Sequence, residues 1–200
     1  MKYFVTGTDT DVGKTTVCAW LALHLKAAYW KPIQCGYSES GESDREIVQR
    51  LSRQTTHPER YRFALPRSPH VAAAAAGQSI DVDSLHLPPA ERLLVEGAGG
   101  VLVPLNDKQL MIDLIVALGL PAIIVARGTL GGINHLLLTI AALRQRQHSI
   151  AGVVFTGTLL PETLAAARDY GATPVLGHLP QLARVDSPAL SAIPVPELVR

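Results

Sequence analysis

The stretch "VTGTDTDVGKTTV", residues 5–17, decides how the rest of the chain reads. It ends in Gly13-Lys14-Thr15, the close of a phosphate-cradling loop. Five residues separate Gly7 from Gly13, one more than in the common G-x-x-x-x-G-K-[ST] loop. An apolar run precedes the loop, and a helix is expected to begin near Lys14. Backbone N–H groups at such a helix start are unpaired, and the helix dipole adds partial positive charge, so a polyphosphate binds there. Lys14 then sits on the β- and γ-phosphates, and the Thr15 hydroxyl is a hard oxygen donor suited to Mg²⁺. The expected nucleotide loop is Asp11-Val12-Gly13-Lys14-Thr15-Thr16. The extra residue places Thr10 and Asp11 where another substrate meets the γ-phosphate. A glycine turn with an incidental lysine is the alternative.

Outward from the loop, short β-rich runs alternate with helical stretches. The strand candidates are 3–6, 29–33 ("YWKPI"), 92–97, 122–127, 151–156 and 173–178; the helices fall near 14–28, 44–54, 68–77, 109–118, 132–147 and 161–170. This pattern predicts an α/β fold of the P-loop NTPase type, a doubly wound, mostly parallel sheet with helices on both faces. Residues 1–200 are expected to form a single domain. Residues 35–91 hold no strong strand and read as a helical and loop excursion. Residues 181–200 read as an irregular tail with a final turn at "PELVR". No internal repeat is visible.

Composition narrows the function. A net charge of +1 without a long basic run argues against a nucleic-acid binder. The longest apolar runs are broken by Gly119 and Pro121 and are too short for a bilayer, so no membrane partner is expected. The chain opens on "KYFVTG" without an apolar leader, and its two cysteines, Cys18 and Cys35, form neither a zinc motif nor a disulfide framework. A cytoplasmic protein is expected.

Further motifs surround the loop. "LLVEGAGG" ends a strand in Glu96, with Gly97, Ala98 and Gly99 following; a carboxylate there suits a metal near the phosphates, and the glycines allow close backbone approach. Alone, Glu96 equally suits a turn cap or an arginine pair. Lys31 closes the strand "YWK" before Pro32, at the sheet end where ligands of doubly wound folds bind. "SESGESDRE" places Asp44 at a helix start with a Ser or Asp cap. "TLGGINHLLLT" puts Gly131 and Gly132 before a helix whose first turn carries Asn134 and His135. His135 is read as structural, and Arg45, Arg50, Arg53, Arg60, Arg62 and Arg67 as solvated.

"GTDTDVGKT", "KPIQCG", "SD" at 43–44, "SPH" at 68–70, "VEGAGG" and "GGINHLLLT" resemble, in order and spacing, the dethiobiotin synthetase family over about residues 3–180. The resemblance implies an ATP-dependent C–N-forming ligase that closes the ureido ring of dethiobiotin. Its substrates are 7,8-diaminononanoate, CO₂ and MgATP, and it proceeds through a carbamate and a carbamic-phosphoric anhydride. It further implies Mg²⁺ shared by Thr15, Asp44 and Glu96, and catalytic roles for Thr10, Lys14 and Lys31. Thr10, Lys31 and Cys35 lie at the carbamate. Gly131, Gly132 and Asn134 receive the substrate carboxylate across a homodimer interface. The resemblance also implies nucleotide-binding roles for Thr156, Gly157, Pro180, Gln181 and Leu182, with Thr156-Gly157 at the adenine edge. Two positions depart from the family pattern. Cys35 replaces a hydroxyl residue, and Thr156-Gly157 replaces an asparagine that reads adenine, which predicts weak base selectivity.

Two rivals share loop features. A cobyrinate-type amidating ATPase has a loop with the extra residue but calls for a glutamine-hydrolysing domain, for which 200 residues leave no room. A switch ATPase of the partition or division-placement type carries a second lysine near the loop start, absent here.

Overall fold

A computed structural model describes residues 1–195; the expected turn at "PELVR" lies outside them. The chain alternates strands and helices: β1 (Lys2–Gly7), α1 (Lys14–Leu25), β2 (Ala28–Trp30), β3 (Ile33–Cys35), α2 (Asp44–Ser52), β4 (Thr56–His57), β5 (Tyr61–Phe63), α3 (Pro69–Ala75), β6 (Leu93–Gly100), α4 (Met111–Leu118), β7 (Ala122–Gly128), α5 (Gly132–Gln145), β8 (Ile150–Leu159), α6 (Pro161–Asp169), β9 (Val175–Leu179) and α7 (Ser187–Ser191). Seven strands form one sheet in the order β4-β2-β6-β1-β7-β8-β9, and all its pairings are parallel.

A parallel sheet needs cover on both faces, and two apolar layers provide it. One packs α1 and α7 against the sheet through Val17, Trp20, Leu21 and Leu190. The other packs α4 and α5 through Met111, Leu114, Leu136 and Ile140. Strand β1 lies between β6 and β7, and the chain leaves it to one side first and crosses to the other later. The loop after β1 therefore occupies the switch point at the carboxyl ends of the strands, where doubly wound sheets bind ligands. Among the described residues no helix is long and apolar enough to cross a membrane.

Three expectations are corrected. "YWKPI" is not one strand. It splits into β2 in the main sheet and β3, which pairs with β5 in a second, two-stranded sheet. Pro32 has no N–H for a ladder, and its carbonyl accepts instead from the Arg60 and Tyr61 amides. The 35–91 excursion does contain strands, β4 and β5, each two or three residues long. The tail is not wholly irregular: Asp186 caps α7 by accepting from the Ala189 amide at 2.9 Å, and Trp20 Nε1 donates to the Ile193 carbonyl at 2.9 Å.

Candidate active site

The loop between β1 and α1 folds back on itself. A Cβ on Gly7 would lie 2.8 Å from Val12 Cγ2 and 2.9 Å from Lys14 Nζ, so only glycine fits there. Gly13 takes φ 87° at the cap of α1, a conformation that favours glycine. Val12 is buried and pins the loop to the apolar layer beneath. Lys14 is buried, and its ammonium donates to the Asp9 carbonyl at 2.8 Å. Burial lowers its pKa, with the nearby Glu96 charge working against that shift.

Beside the loop lies a buried charged cluster. Lys31 follows β2, and its ammonium donates to Glu96 Oε1 at 3.0 Å and, in a short contact, to Asp44 Oδ2. The Glu96 side chain is fully buried, Lys31 nearly so, and Asp44 about a quarter exposed. Burial opposes the charge on Lys31, but the two carboxylates outweigh it and hold its pKa above the ordinary lysine value. Glu96 accepts two further bonds, from Thr15 Oγ1 at 3.0 Å and from the Tyr29 hydroxyl at 2.8 Å. Burial, reinforced by Glu96, pushes the Tyr29 pKa well up, so the phenol stays a donor.

Local sequence explains each placement. Tyr29 and Lys31 alternate onto one side of the chain. Glu96 stands opposite Val5 in the β1–β6 register, just short of the loop. Asp44 opens α2 because Ser43 caps it. Ser43 Oγ accepts from the Glu46 amide at 3.3 Å and the Glu46 carboxylate accepts from the Ser43 amide at 2.7 Å, a reciprocal capping box. The Asp44 amide donates to Gln34 Oε1 at 3.2 Å. Glu96 does not end its strand, because β6 continues through Gly100. Gly97 is buried where a Cβ would meet Phe4 at 2.9 Å, so its place is a packing one, and Ala98 leans on the same apolar layer. Gly99 is half-buried beyond them.

Thr15 Oγ1 and the carboxylates of Asp44 and Glu96 form an all-oxygen set, in which Thr15 bonds Glu96 and the two carboxylates hold the Lys31 ammonium. A cation is already held between the two carboxylates, and hard oxygen donors suit Mg²⁺. No group of three or more His, Cys, Asp or Glu side chains placed for a metal occurs among the described residues. Two carboxylates and a hydroxyl are the kind of partial oxygen set that Mg²⁺ uses beside phosphates and water.

On the far side of the loop an open cavity of about 480 Å³ is lined by Asp11, Gly13, Thr16, Thr156, Gly157 and the segment Pro180-Gln181-Leu182. Thr156 Oγ1 donates to the Val12 carbonyl at 2.8 Å, and the Gly157 carbonyl lies 2.6 Å from His178 Nε2. Cys35 ends β3, half-buried; burial raises its thiol pKa to about 11 against the pull of Lys31. Thr10 is exposed on the loop rim. Gly131 and Asn134 are exposed at the start of α5, and Gly132 packs on the Arg127 carbonyl. No hydrogen bond or ion pair among the described residues ties this segment to the Lys31 cluster. The His135 side chain is exposed and makes no hydrogen bond among the described residues; its carbonyl accepts from the Thr139 hydroxyl at 2.8 Å.

Four residues at the site went unnoticed in the sequence: Tyr29, Gln34, Asp9 and Arg127. For Tyr29 a signal existed, its i, i+2 spacing to Lys31. The arginines of 45–67 are not all solvated either, since Arg45 and Arg62 flank Glu59, whose side chain is 1% exposed.

A family model described as an AAA domain matches residues 1–189. An ATP-dependent dethiobiotin synthetase of Paramagnetospirillum magneticum is 47% identical over 195 residues, which cover 96% of this chain and 94% of the relative. The chain belongs to the dethiobiotin synthetase family. Other dethiobiotin synthetases agree. That of Sphingopyxis alaskensis is 46% identical, covering 96% of this chain and 93% of the relative, and that of Lawsonia intracellularis is 40% identical, covering 98% and 95%. Among solved structures, the septum site-determining protein MinD of Pyrococcus horikoshii, complexed with Mg-ADP, superposes with a TM-score of 0.56 at 16% identity, covering 97% of this chain and 87% of that one. A likeness that distant shows the fold alone. The fold is thus shared with that protein, and the sequence identity places the chain with the dethiobiotin synthetases.

Proposed function

We propose that this chain is an ATP-dependent dethiobiotin synthetase. It joins 7,8-diaminononanoate and CO₂ at the expense of MgATP, releasing ADP and phosphate. The observation that carries the reading is the Lys31 ammonium buried between Asp44 and Glu96 beside the loop, in a chain 47% identical to a dethiobiotin synthetase. Bound Mg²⁺ supplies charge neutralisation at the phosphoryl oxygens. Thr15, Asp44 and Glu96 hold it, and Tyr29 orients the Glu96 carboxylate. Lys14 leaves the Asp9 carbonyl for the γ-phosphate. Thr10 and Lys31 hold the carbamate formed on one amine, and Cys35 lines that end. Negative charge spreads over the phosphoryl oxygens in transfer, so two fixed ammonium groups stabilise it where it develops. A carbamate oxygen attacks the γ-phosphorus and ADP leaves, giving the carbamic-phosphoric anhydride. The second amine then attacks its carbonyl carbon and loses a proton as phosphate leaves. No covalent enzyme intermediate is needed.

Residues 1–200 act as one domain in the cytoplasm, where two free cysteines are at home. The working form is a homodimer. The start of α5, with Gly131, Gly132 and Asn134, takes the substrate carboxylate from a second copy. The Gly132 amide is already bonded to the Thr129 carbonyl at 2.9 Å, so the Ile133 and Asn134 amides are the donors left for it. The exposure of Leu130 (95%) and Leu138 (61%) beside them supports an apolar interface there. The discriminating experiment is ADP release with and without diamine and bicarbonate. The synthetase reading predicts release only with both. Equal release from MgATP alone would instead mark a switch ATPase.

Glu96→Gln is expected to raise the Mg²⁺ concentration needed for half-maximal rate by about tenfold or more, as the set loses an anionic oxygen. An unchanged metal titration would leave Glu96 only its bonds to Thr15, Tyr29 and Lys31.

Base selectivity is expected to be weak. The phosphates are alike in all nucleoside triphosphates, so selectivity rests on groups at the base edge. The one proton of the Thr156 hydroxyl is committed to the Val12 carbonyl, which leaves it an acceptor alone, and Gly157 has no side chain. Losing one or two base contacts forfeits roughly ten- to a hundredfold in discrimination. The ratio of kcat/KM for ATP over GTP or CTP is therefore expected to stay below about a hundred. A ratio above about a thousand would mean that Gln181 or backbone groups read adenine fully.

A further inference from the structure

Every carbonyl from Asp9 to Gly13 is engaged within the protein. That of Asp9 accepts from Lys14 Nζ at 2.8 Å. Those of Thr10 and Asp11 accept from the Arg127 guanidinium at 3.4 and 3.1 Å. That of Val12 accepts from Thr156 Oγ1 at 2.8 Å, and that of Gly13 from the Val17 amide at 2.9 Å. The amides of Asp11, Val12 and Gly13, by contrast, donate to no acceptor among the described residues. Asp11 holds φ 56° and Gly13 φ 87°, and a non-glycine residue in the left-handed region persists only where its surroundings hold it. Arg127 comes from the carboxyl end of β7 and Thr156 from that of β8, so two rigid strands grip the outer edge of the loop from sites more than a hundred residues away.

We propose that Arg127 and Thr156 are positioning residues that clamp the outward carbonyls of the loop and so keep its N–H groups turned to the nucleotide. The proposal rests on the reading of the loop as a nucleotide site. Concave sets of backbone N–H groups bind anions only when they converge. A loop fixed before binding also avoids the ordering cost of closing around its ligand. The two side chains therefore set nucleotide affinity through the backbone, without touching the phosphates. One nitrogen of the Arg127 guanidinium, which carries two N–H groups, donates to both neighbouring carbonyls, and the planar group to which it belongs holds it in that place more firmly than the flexible stem of a lysine would.

The test is calorimetric titration of MgADP and of a non-hydrolysable MgATP analogue into the full chain, with ligand-free melting temperatures measured alongside. Thr156→Val keeps the shape and removes the hydroxyl, and it is expected to weaken both nucleotides about tenfold with little change in melting temperature. Thr156→Ser is expected to restore most of that loss. Arg127→Met is expected to weaken ADP and the ATP analogue by the same factor, with Arg127→Lys recovering only part of it. Wild-type affinity in Thr156→Val, or failure of Thr156→Ser to rescue, would overturn the proposal. So would a loss in Arg127→Met that is larger for the triphosphate and fully rescued by lysine, because Arg127 would then be a phosphate ligand. Absence of nucleotide binding by the wild-type chain is a separate outcome, which overturns the reading of the loop itself.

Discussion

Lys14→Ala is expected to lower kcat by about 10²–10³-fold or more, the scale seen when one preorganised charge-stabilising donor is removed from a reacting centre. The side chain is buried inside the loop, and its one bond, to the Asp9 carbonyl, is readily given up for a phosphate oxygen. Burial already disfavours its charge, so an anion placed beside it gains more than the same anion would beside an exposed lysine. The fold depends little on that bond, so a cooperative unfolding transition is expected to remain. The check is steady-state kinetics beside thermal unfolding. A kcat within about threefold of wild type would remove Lys14 from the point of phosphoryl transfer.

Lys31→Gln is expected to act on stability and on rate together. Without the ammonium, Asp44 and the fully buried Glu96 face one another uncompensated. Removing one partner from a buried ion cluster costs about 3–5 kcal/mol, and the glutamine amide, still a donor, recovers part of it. MgADP is expected to return much of the lost melting temperature, since a divalent cation between the carboxylates replaces the missing charge. At saturating MgATP, kcat is expected to remain lowered about a hundredfold, because the carbamate has lost its cation. The affinity for ATP is expected to change little. Two results would contradict this: an unchanged melting temperature, or a loss of ATP affinity as large as the loss of kcat, which would make Lys31 a phosphate anchor.

The parts of the fold that were legible in the sequence are those with strong local patterns. β1, β6, β7 and β8 are apolar runs buried on both faces, and α5 has a clear glycine start. The phosphate loop declared itself because glycine and lysine at fixed spacing have few other uses. The helix expected over 14–28 ends at Leu25, since Lys26 turns into the left-handed region as its cap and the chain must be extended by Ala28 to join β2. β4 and β5 were not legible: two or three residues with polar members carry no period, and only pairing with β2 and β3 makes them strands. α7 is short and takes its stability from tertiary contacts, with Leu190 buried beneath α1.

At the site, motif residues could be named, but their relations could not. Glu96 was visible as a carboxylate among glycines, yet its three bonds come from two other segments, the start of α1 and the end of β2. The orientation of Thr156 toward Val12 depends on the β7–β8 register, which no local pattern fixes. Arg127 was one arginine among many until the strands placed it over the loop.

Whether this site builds a ureido ring from a carbamate is decided by incubating the protein with 7,8-diaminononanoate, MgATP and ¹³C-bicarbonate and reading the product by mass spectrometry. The expected product is dethiobiotin carrying a single ¹³C in its ring, formed in step with ADP. ADP released without labelled dethiobiotin, or a labelled product that forms equally well in Lys14→Ala, would contradict that reading.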